Sequence, residues 1–368
     1  MSDSENRAGW AARALRAYQA MQHRFADRHG VYRQRGRWHR PGAAEHLWPI
    51  TRAFVATLDL AGAGPMAGFD AEEAIAQHLT MLARYWEPPA YSSDPIGARF
   101  GGDRYYDDNA WVGLALIQLE RMGLGTGPGL ERAAELFAFA VEGWDTRADA
   151  PSPGGVFWVQ QGRGVGSRNH DRNTVSNAPN AQLGLHLAEL IGAPADAPEQ
   201  TEAARMIAWV QSALSAEEGG AGLFWDKIRG DGSIDKMLWS YNQGSMVGAS
   251  LLLHRRGLEP SGEYLDRART IASKALRHYE GRYLAHPPAF NAIFFRNLLQ
   301  LHPAIDDDAL REQIIATTVG YADRLWSQRR DPSDRFPFRG DTTLLDQSAA
   351  VQLFALLAWD PADYVKLA

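Results

Sequence analysis

Cysteine does not occur among the 368 residues. Disulfides, a thiol nucleophile and cysteine-ligated metals are excluded, although this alone does not fix the compartment. Long apolar runs are also missing. No stretch approaches the ~18 uninterrupted apolar residues of a membrane span, so none is expected. The N-terminus from Met1 to Arg16 carries charges and no apolar block of the secretory kind, which gives cytoplasmic as the expected location. No segment gathers Lys and Arg among interleaved aromatics, and the net charge is −6, so nucleic acid is not an expected partner. None of the 11 His pair at helical metal-binding spacing, and there is no His-Glu-x-x-His run. Neither a metal nor a cofactor is expected.

Strand-like segments are scarce as well, and helices fill the space. One kind is amphipathic. In Leu130–Trp144, Leu130, Ala134, Phe137, Val141 and Trp144 share a face, with Glu131, Glu135 and Glu142 elsewhere. Segments near Arg7–Arg28, Asp70–Glu87, Glu199–Ser215, Gly262–Glu280 and Asp308–Ser327 read alike. The other kind is apolar nearly all round and begins near His46, Asp107, Ala178, Tyr241, Phe290 and Gln347. Alternation of half-exposed and fully buried helices, six times over, is the mark of a closed helical repeat. The predicted fold is all-α: an (α/α)6 barrel of six inner and six outer helices, forming one catalytic domain over residues 1–368.

Connections from inner to outer helices are short, at 61–69, 123–128 and 192–198. Those from outer to inner are long, at 88–106, 145–177, 216–238 and 328–346. Inner helices run parallel in such a ring, so the long loops gather at one mouth, and loops of that length carry function. Gly154–Trp158 (GGVFW) reads as a hairpin strand there, with Gly222–Trp225 as its counterpart. The 12 Trp suit either a sugar-binding groove or an aromatic core.

At that mouth stand Asp107 and Asp108, in the run Tyr-Tyr-Asp-Asp-Asn-Ala-Trp (105–111) that opens a buried helix. One cap residue would suffice there, and two adjacent negative charges repel. Carboxylate-pair chemistry uses such an arrangement. In a retaining glycosidase one carboxylate attacks the anomeric carbon and the other, about 5–5.5 Å away, protonates the leaving oxygen. A helix N-terminus favours the anionic nucleophile, while the neighbouring charge keeps the second carboxyl protonated. Other signals are weaker. Gly162–Gly166 lacks the strand and spacing of a phosphate loop, His170 and Asp171 read as solvated loop residues, and Asp306–Asp308 reads as helix capping.

The 105–111 run resembles the signature of glycoside hydrolase family 76, the endo-α-1,6-mannanases. Further segments are similar to family motifs in the same order: Gly154–Trp158, Arg172–Pro179 (RNTVSNAP), Trp239–Gly244 (WSYNQG) and Ala292–Arg296 (AIFFR). The resemblance runs from about Trp48 to Ala358. It implies an (α/α)6 barrel and retaining hydrolysis of α-1,6-mannosidic bonds in mannan or manno-oligosaccharides. Asp107 would be the nucleophile and Asp108 the acid/base. Val159 departs from the pattern, standing where an aromatic is expected. Expected sugar contacts are Trp48, Tyr106, Asn109, Trp158, Asn177, Asn180, Tyr241, Asn242 and Gln243. Trp111 reads as core, and a monomer is expected. Two other readings stay open: another (α/α)6-barrel sugar enzyme (a transglycosidase or epimerase), or a non-catalytic glycan-binding toroid.

Overall fold

The computed structural model describes residues 3–35, 43–97, 102–125, 129–166, 168–217, 220–258 and 262–368. Parts of four expected loops, at 98–101, 126–128, 167 and 218–219, lie outside these.

Among the described residues, twelve α-helices alternate in exposure. The inner ones are α2 (Leu47–Gly62), α4 (Tyr106–Arg121), α6 (Thr174–Ile191), α8 (Ser240–Arg255), α10 (Pro288–Leu301) and α12 (Leu344–Ala358). Each packs on the next, and α12 returns onto α2, closing the ring. The outer ones are α1 (Asp3–Phe25), α3 (Ala71–Ala83), α5 (Gly129–Glu142), α7 (Pro198–Ala213), α9 (Glu263–Tyr279) and α11 (Asp308–Gln328). The chain is an (α/α)6 barrel. Its first helix is an outer one, and it packs mainly on the last inner helix. The cause of the two exposure patterns is position: α6 is buried at every residue from Thr174 to Ala188, whereas α9 buries one stripe, Ala268, Ile271, Ala272, Ala275, Leu276 and Tyr279. Each large apolar side chain so buried contributes roughly 1.5–3 kcal/mol before entropy is counted.

Helix starts differ from the expected ones by a few residues, and the caps explain why. Helix α6 begins at Thr174 rather than near Ala178, because the Ser176 hydroxyl accepts from the N-cap amide of Asn173 at 3.1 Å. Helix α12 begins at Leu344 because Thr343 caps it: Asp346 N donates to Thr343 Oγ1 at 3.1 Å, and Thr343 Oγ1 donates to Asp346 at 2.8 Å. Asp307 caps α11 by accepting from Leu310 N at 3.0 Å.

The inner bundle is not purely apolar. Arg296 on α10 donates to both carboxylate oxygens of the fully buried Asp59 on α2, and Gln118 on α4 donates to Asp59 at 2.9 Å. Arg52, also buried, meets Gln352. Two adjacent inner helices, α2 and α4, and a third from farther round the ring, α10, thereby meet at one carboxylate.

Short strands decorate the mouth: β1 (Trp86–Glu87) pairs with β2 (Ala90–Tyr91), and β3 (Arg172–Asn173), β4 (Lys227–Ile228) and β5 (Ile234–Asp235) form a three-stranded sheet in that order. The 154–158 segment is extended, as expected, but 222–225 is not its partner. It bridges instead to Trp144, Arg172 and Tyr105, through Val156, Phe157 and Val159, while Phe224 bridges to Ser215. These two loops therefore fold back on their own outer-helix ends before reaching the next inner helix.

Candidate active site

Tyr105 is extended and offers α4 no side-chain cap. The orphan amide at the helix start is satisfied from outside: Tyr106 N donates to the carbonyl of Trp158 at 3.0 Å. Asp107 and Asp108 follow as the second and third helical residues, where the helix dipole favours negative charge. Both line a cavity of about 680 Å³ at the mouth of the barrel.

The two carboxyls face that cavity yet are crowded by protein, so loss of hydration is the first influence on each. Burial pushes Asp107 up to about 7, opposed by the backbone amides at 107 and 108 and by the Trp158 indole, which donates to Asp107 Oδ2 at 3.3 Å. Asp108 is pushed well above the usual carboxylate range by burial and then by the charge of Asp107. What distinguishes two identical side chains is the indole N–H, which reaches Asp107 and favours its ionised form. Protons leave such a pair in two shared steps.

Aromatic rings frame the cavity on two sides. Tyr105 and Trp158 lie 5.0 Å apart beside the pair, and Tyr241 stacks on Phe290 at 4.0 Å, with Trp48 6.1 Å from Phe290. Faces of this kind suit the apolar faces of pyranose rings. Trp111 belongs to both worlds: it is buried, yet it lines the cavity floor. The tryptophans therefore divide, since Trp10, Trp209 and Trp359 are core.

Three of the expected sugar contacts, Trp48, Trp158 and Tyr241, line the cavity with the aspartates. The others do not line it, and most have backbone partners. Asn109, Asn177 and Gln243 each occupy the fourth position of an inner helix and do the same job there. The side-chain oxygen of Asn109 accepts from Tyr91 N at 2.7 Å while its amide donates to Tyr91 O (3.0 Å) and to the N-cap carbonyl of Tyr105 (2.8 Å). Asn177 accepts from Val156 N at 2.8 Å and donates to Asn173 O at 2.8 Å. Gln243 accepts from Phe224 N at 2.9 Å and donates to Phe224 O (2.8 Å) and Trp239 O (3.2 Å). Gln347, fourth in α12, accepts from Phe336 N at 3.2 Å. A side-chain amide offers one acceptor and two donors, so it reads both backbone groups of the preceding loop and pins that loop to the helix.

Asn180 donates to Tyr106 O at 3.1 Å and Ser176 O at 2.8 Å, joining α6 to α4. Tyr106 turns away from the cavity, its ring 4.5 Å from Phe139 of α5.

Asn242 has a different target. Its amide donates to Asp226 Oδ1 at 3.0 Å, and Tyr241 OH donates to the same oxygen at 3.5 Å. Asp226 lines the cavity and is a third carboxyl held above its ordinary range by burial. Sequence reasoning passed over it, stopping at Trp225. An acid directly after an aromatic strand in a mouth loop was the available signal. Phe290 and Lys227 were passed over as well. Asp171, read as a solvated loop residue, forms an ion pair with Lys227 at 2.9 Å. Gly162–Gly166 is a loop tied down by Gly166 N donating to Asp103 at 2.9 Å. Among the described residues no group of His, Asp or Glu is disposed to hold a metal, and no helix is long and apolar enough to cross a membrane.

The profile of glycosyl hydrolase family 76 matches residues 5–331. Among solved structures, a family 76 mannosidase from Bacteroides thetaiotaomicron VPI-5482 superposes with a TM-score of 0.76 at 21% identity, covering 95% of this chain and 98% of that one. An α-1,6-mannanase from Salegentibacter sp. HEL1_6 gives 0.73 at 20% identity, over 95% and 99%. A variant of that enzyme with two adjacent aspartates changed to asparagine is described as inactive and holds α-1,6-mannotriose. Dfg5 from Chaetomium thermophilum, in complex with glucosamine, gives 0.71 at 15% identity, over 97% and 90%. No curated protein sequence matches the chain.

Proposed function

Because the chain belongs to glycosyl hydrolase family 76, we propose that it is a retaining α-mannoside hydrolase acting on α-1,6 linkages in mannan or manno-oligosaccharides. The observation that carries this is a pair of adjacent carboxyls on one cavity wall, of which Asp107 receives the Trp158 indole N–H. Asp107, steadied by the Trp158 N–H and the helix-start amides, is the anion that attacks the anomeric carbon and forms the glycosyl ester. Asp108, kept protonated, delivers its proton to the departing glycosidic oxygen, then takes a proton from the water that opens the ester. The aromatic pairs Tyr105–Trp158 and Tyr241–Phe290 would hold sugar rings by their apolar faces. The α-1,6 preference is drawn from the Salegentibacter relative, whose inactive variant retains an α-1,6-mannotriose.

Asp107→Asn and Asp108→Asn should each lower kcat on α-1,6-mannobiose by at least roughly 10³-fold, with circular dichroism unchanged. Robust turnover in either variant removes the pair from the chemistry. Parallel assays on α-1,2 and α-1,3 mannobiose decide the linkage.

A further inference from the structure

Adjacent aspartates on one helix share the same dipole and nearly the same burial, so something beyond the helix must tell them apart. The Trp158 indole does so, donating to Asp107 Oδ2; among the described residues no side chain donates in this way to Asp108. Trp158 is itself fixed on three sides. Its carbonyl accepts from Tyr106 N at 3.0 Å, its amide donates to Asp171 O at 2.8 Å, and the ammonium of Lys227 stands 5.4 Å from its ring centroid. Lys227 is held there by its ion pair with the Asp171 carboxylate at 2.9 Å and by its place on β4, paired to β3.

We propose that Lys227 is a positioning residue for the hydrolysis: its ammonium, acting on the Trp158 ring, holds the indole N–H against Asp107 and keeps that carboxyl the ionised member of the pair. This rests on the assignment of Asp107 as nucleophile. A cation over an indole face is attracted by the ring quadrupole and draws electron density from it. The N–H on the opposite edge becomes a stronger donor to an anion, and the positive field itself favours ionised Asp107.

The surroundings make this cation conspicuous. The titratable groups lining the cavity are Asp108 on the same helix, Asp103 and Tyr105 before it, Asp226 before β4, Tyr241 on α8, and Glu45, His46 and Asp94 beside α2. Helices α10 and α12 present Phe290, Leu344 and Leu345, which are uncharged. Among the described residues His46 is the only other cationic side chain on the wall, and both cations are ion-paired, His46 with Asp94 at 3.0 Å and Lys227 with Asp171. Lys227 is the one set against the Trp158 ring.

Infrared difference spectra of the carboxyl stretch, each protein minus its Asp107→Asn version, follow Asp107 without substrate. Lys227→Met should raise the Asp107 midpoint by roughly one pH unit, a tenfold gain in proton affinity, and Lys227→Arg should restore most of it. In a Trp158→Phe background, Lys227→Met should add little. On α-1,6-mannobiose the acid limb of kcat/KM should move by the same amount, with KM at high pH unchanged. An unmoved midpoint overturns the proposal. So does a full shift in the Trp158→Phe background, which would bypass the indole. A several-fold rise in KM with the limb in place would make Lys227 a sugar contact instead. If the wild type cleaves no mannoside, the hydrolase assignment fails while the infrared titration still decides the role of Lys227. Lys227→Gln serves in the same comparisons if the Met variant does not fold.

Discussion

Replacing Asn177 by Ala separates two accounts of the amides at the barrel mouth. As a clamp, Asn177 accepts from the buried amide of Val156 and donates to the Asn173 carbonyl, each at 2.8 Å. Its loss removes two hydrogen bonds worth about 1 kcal/mol each and strands a buried N–H at a further 1–3 kcal/mol, giving about 3–5 kcal/mol in all. For 368 residues the unfolding entropy is roughly 0.8 kcal/mol per degree, so Tm should fall by about 4–6 °C. The segment released leads directly to Trp158, so the indole loses its aim at Asp107. A misplacement of that kind should cost roughly 10-fold or more in kcat, with KM little altered. Thermal unfolding by circular dichroism and initial rates on α-1,6-mannobiose measure both. A Tm within 1 °C of wild type together with a raised KM would refute the clamp and return Asn177 to sugar binding.

Asp59→Asn leaves Arg296 and Arg52 buried without their shared carboxylate. Urea denaturation should show a loss of about 3–5 kcal/mol, much of it recovered when Arg296→Met is added. The raised carboxyl of Asp107 carries a pH signature. Its contribution relative to the unfolded chain is fully present below about pH 4 and is lost as pH rises through about 7. Asp107→Asn should therefore melt roughly 5 °C above wild type at pH 8 and level with it near pH 4; equal melting at both values would place Asp107 in water.

The barrel was legible in the sequence because burial leaves a periodic trace. Helices apolar all round cannot be stable alone, and six of them between amphipathic neighbours have few other ways to pack. The pair was legible because two charges at a buried helix start conflict with capping needs. Helix starts at Thr174 and Leu344 were shifted because caps set by Asn173 and Thr343 act locally, ahead of the apolar run that drew attention. The amides misled for a chemical reason. Asn and Gln at a helix mouth suit sugar hydroxyls and backbone groups equally, and only the fold shows which partner arrives. Phe290 reaches the cavity through a long-range arrangement that no local pattern encodes, whereas Asp226 left a weak local trace, an acid directly after an aromatic segment in a mouth loop.

Proton NMR of the reducing sugar first released from an α-1,6-manno-oligosaccharide bears most directly on the carboxylate pair. Two displacements at one carbon preserve configuration, so α-mannose should appear first and drift to the β form only as it mutarotates. An initial β-anomer would mean a single displacement by water, and Asp107 would then not be the nucleophile.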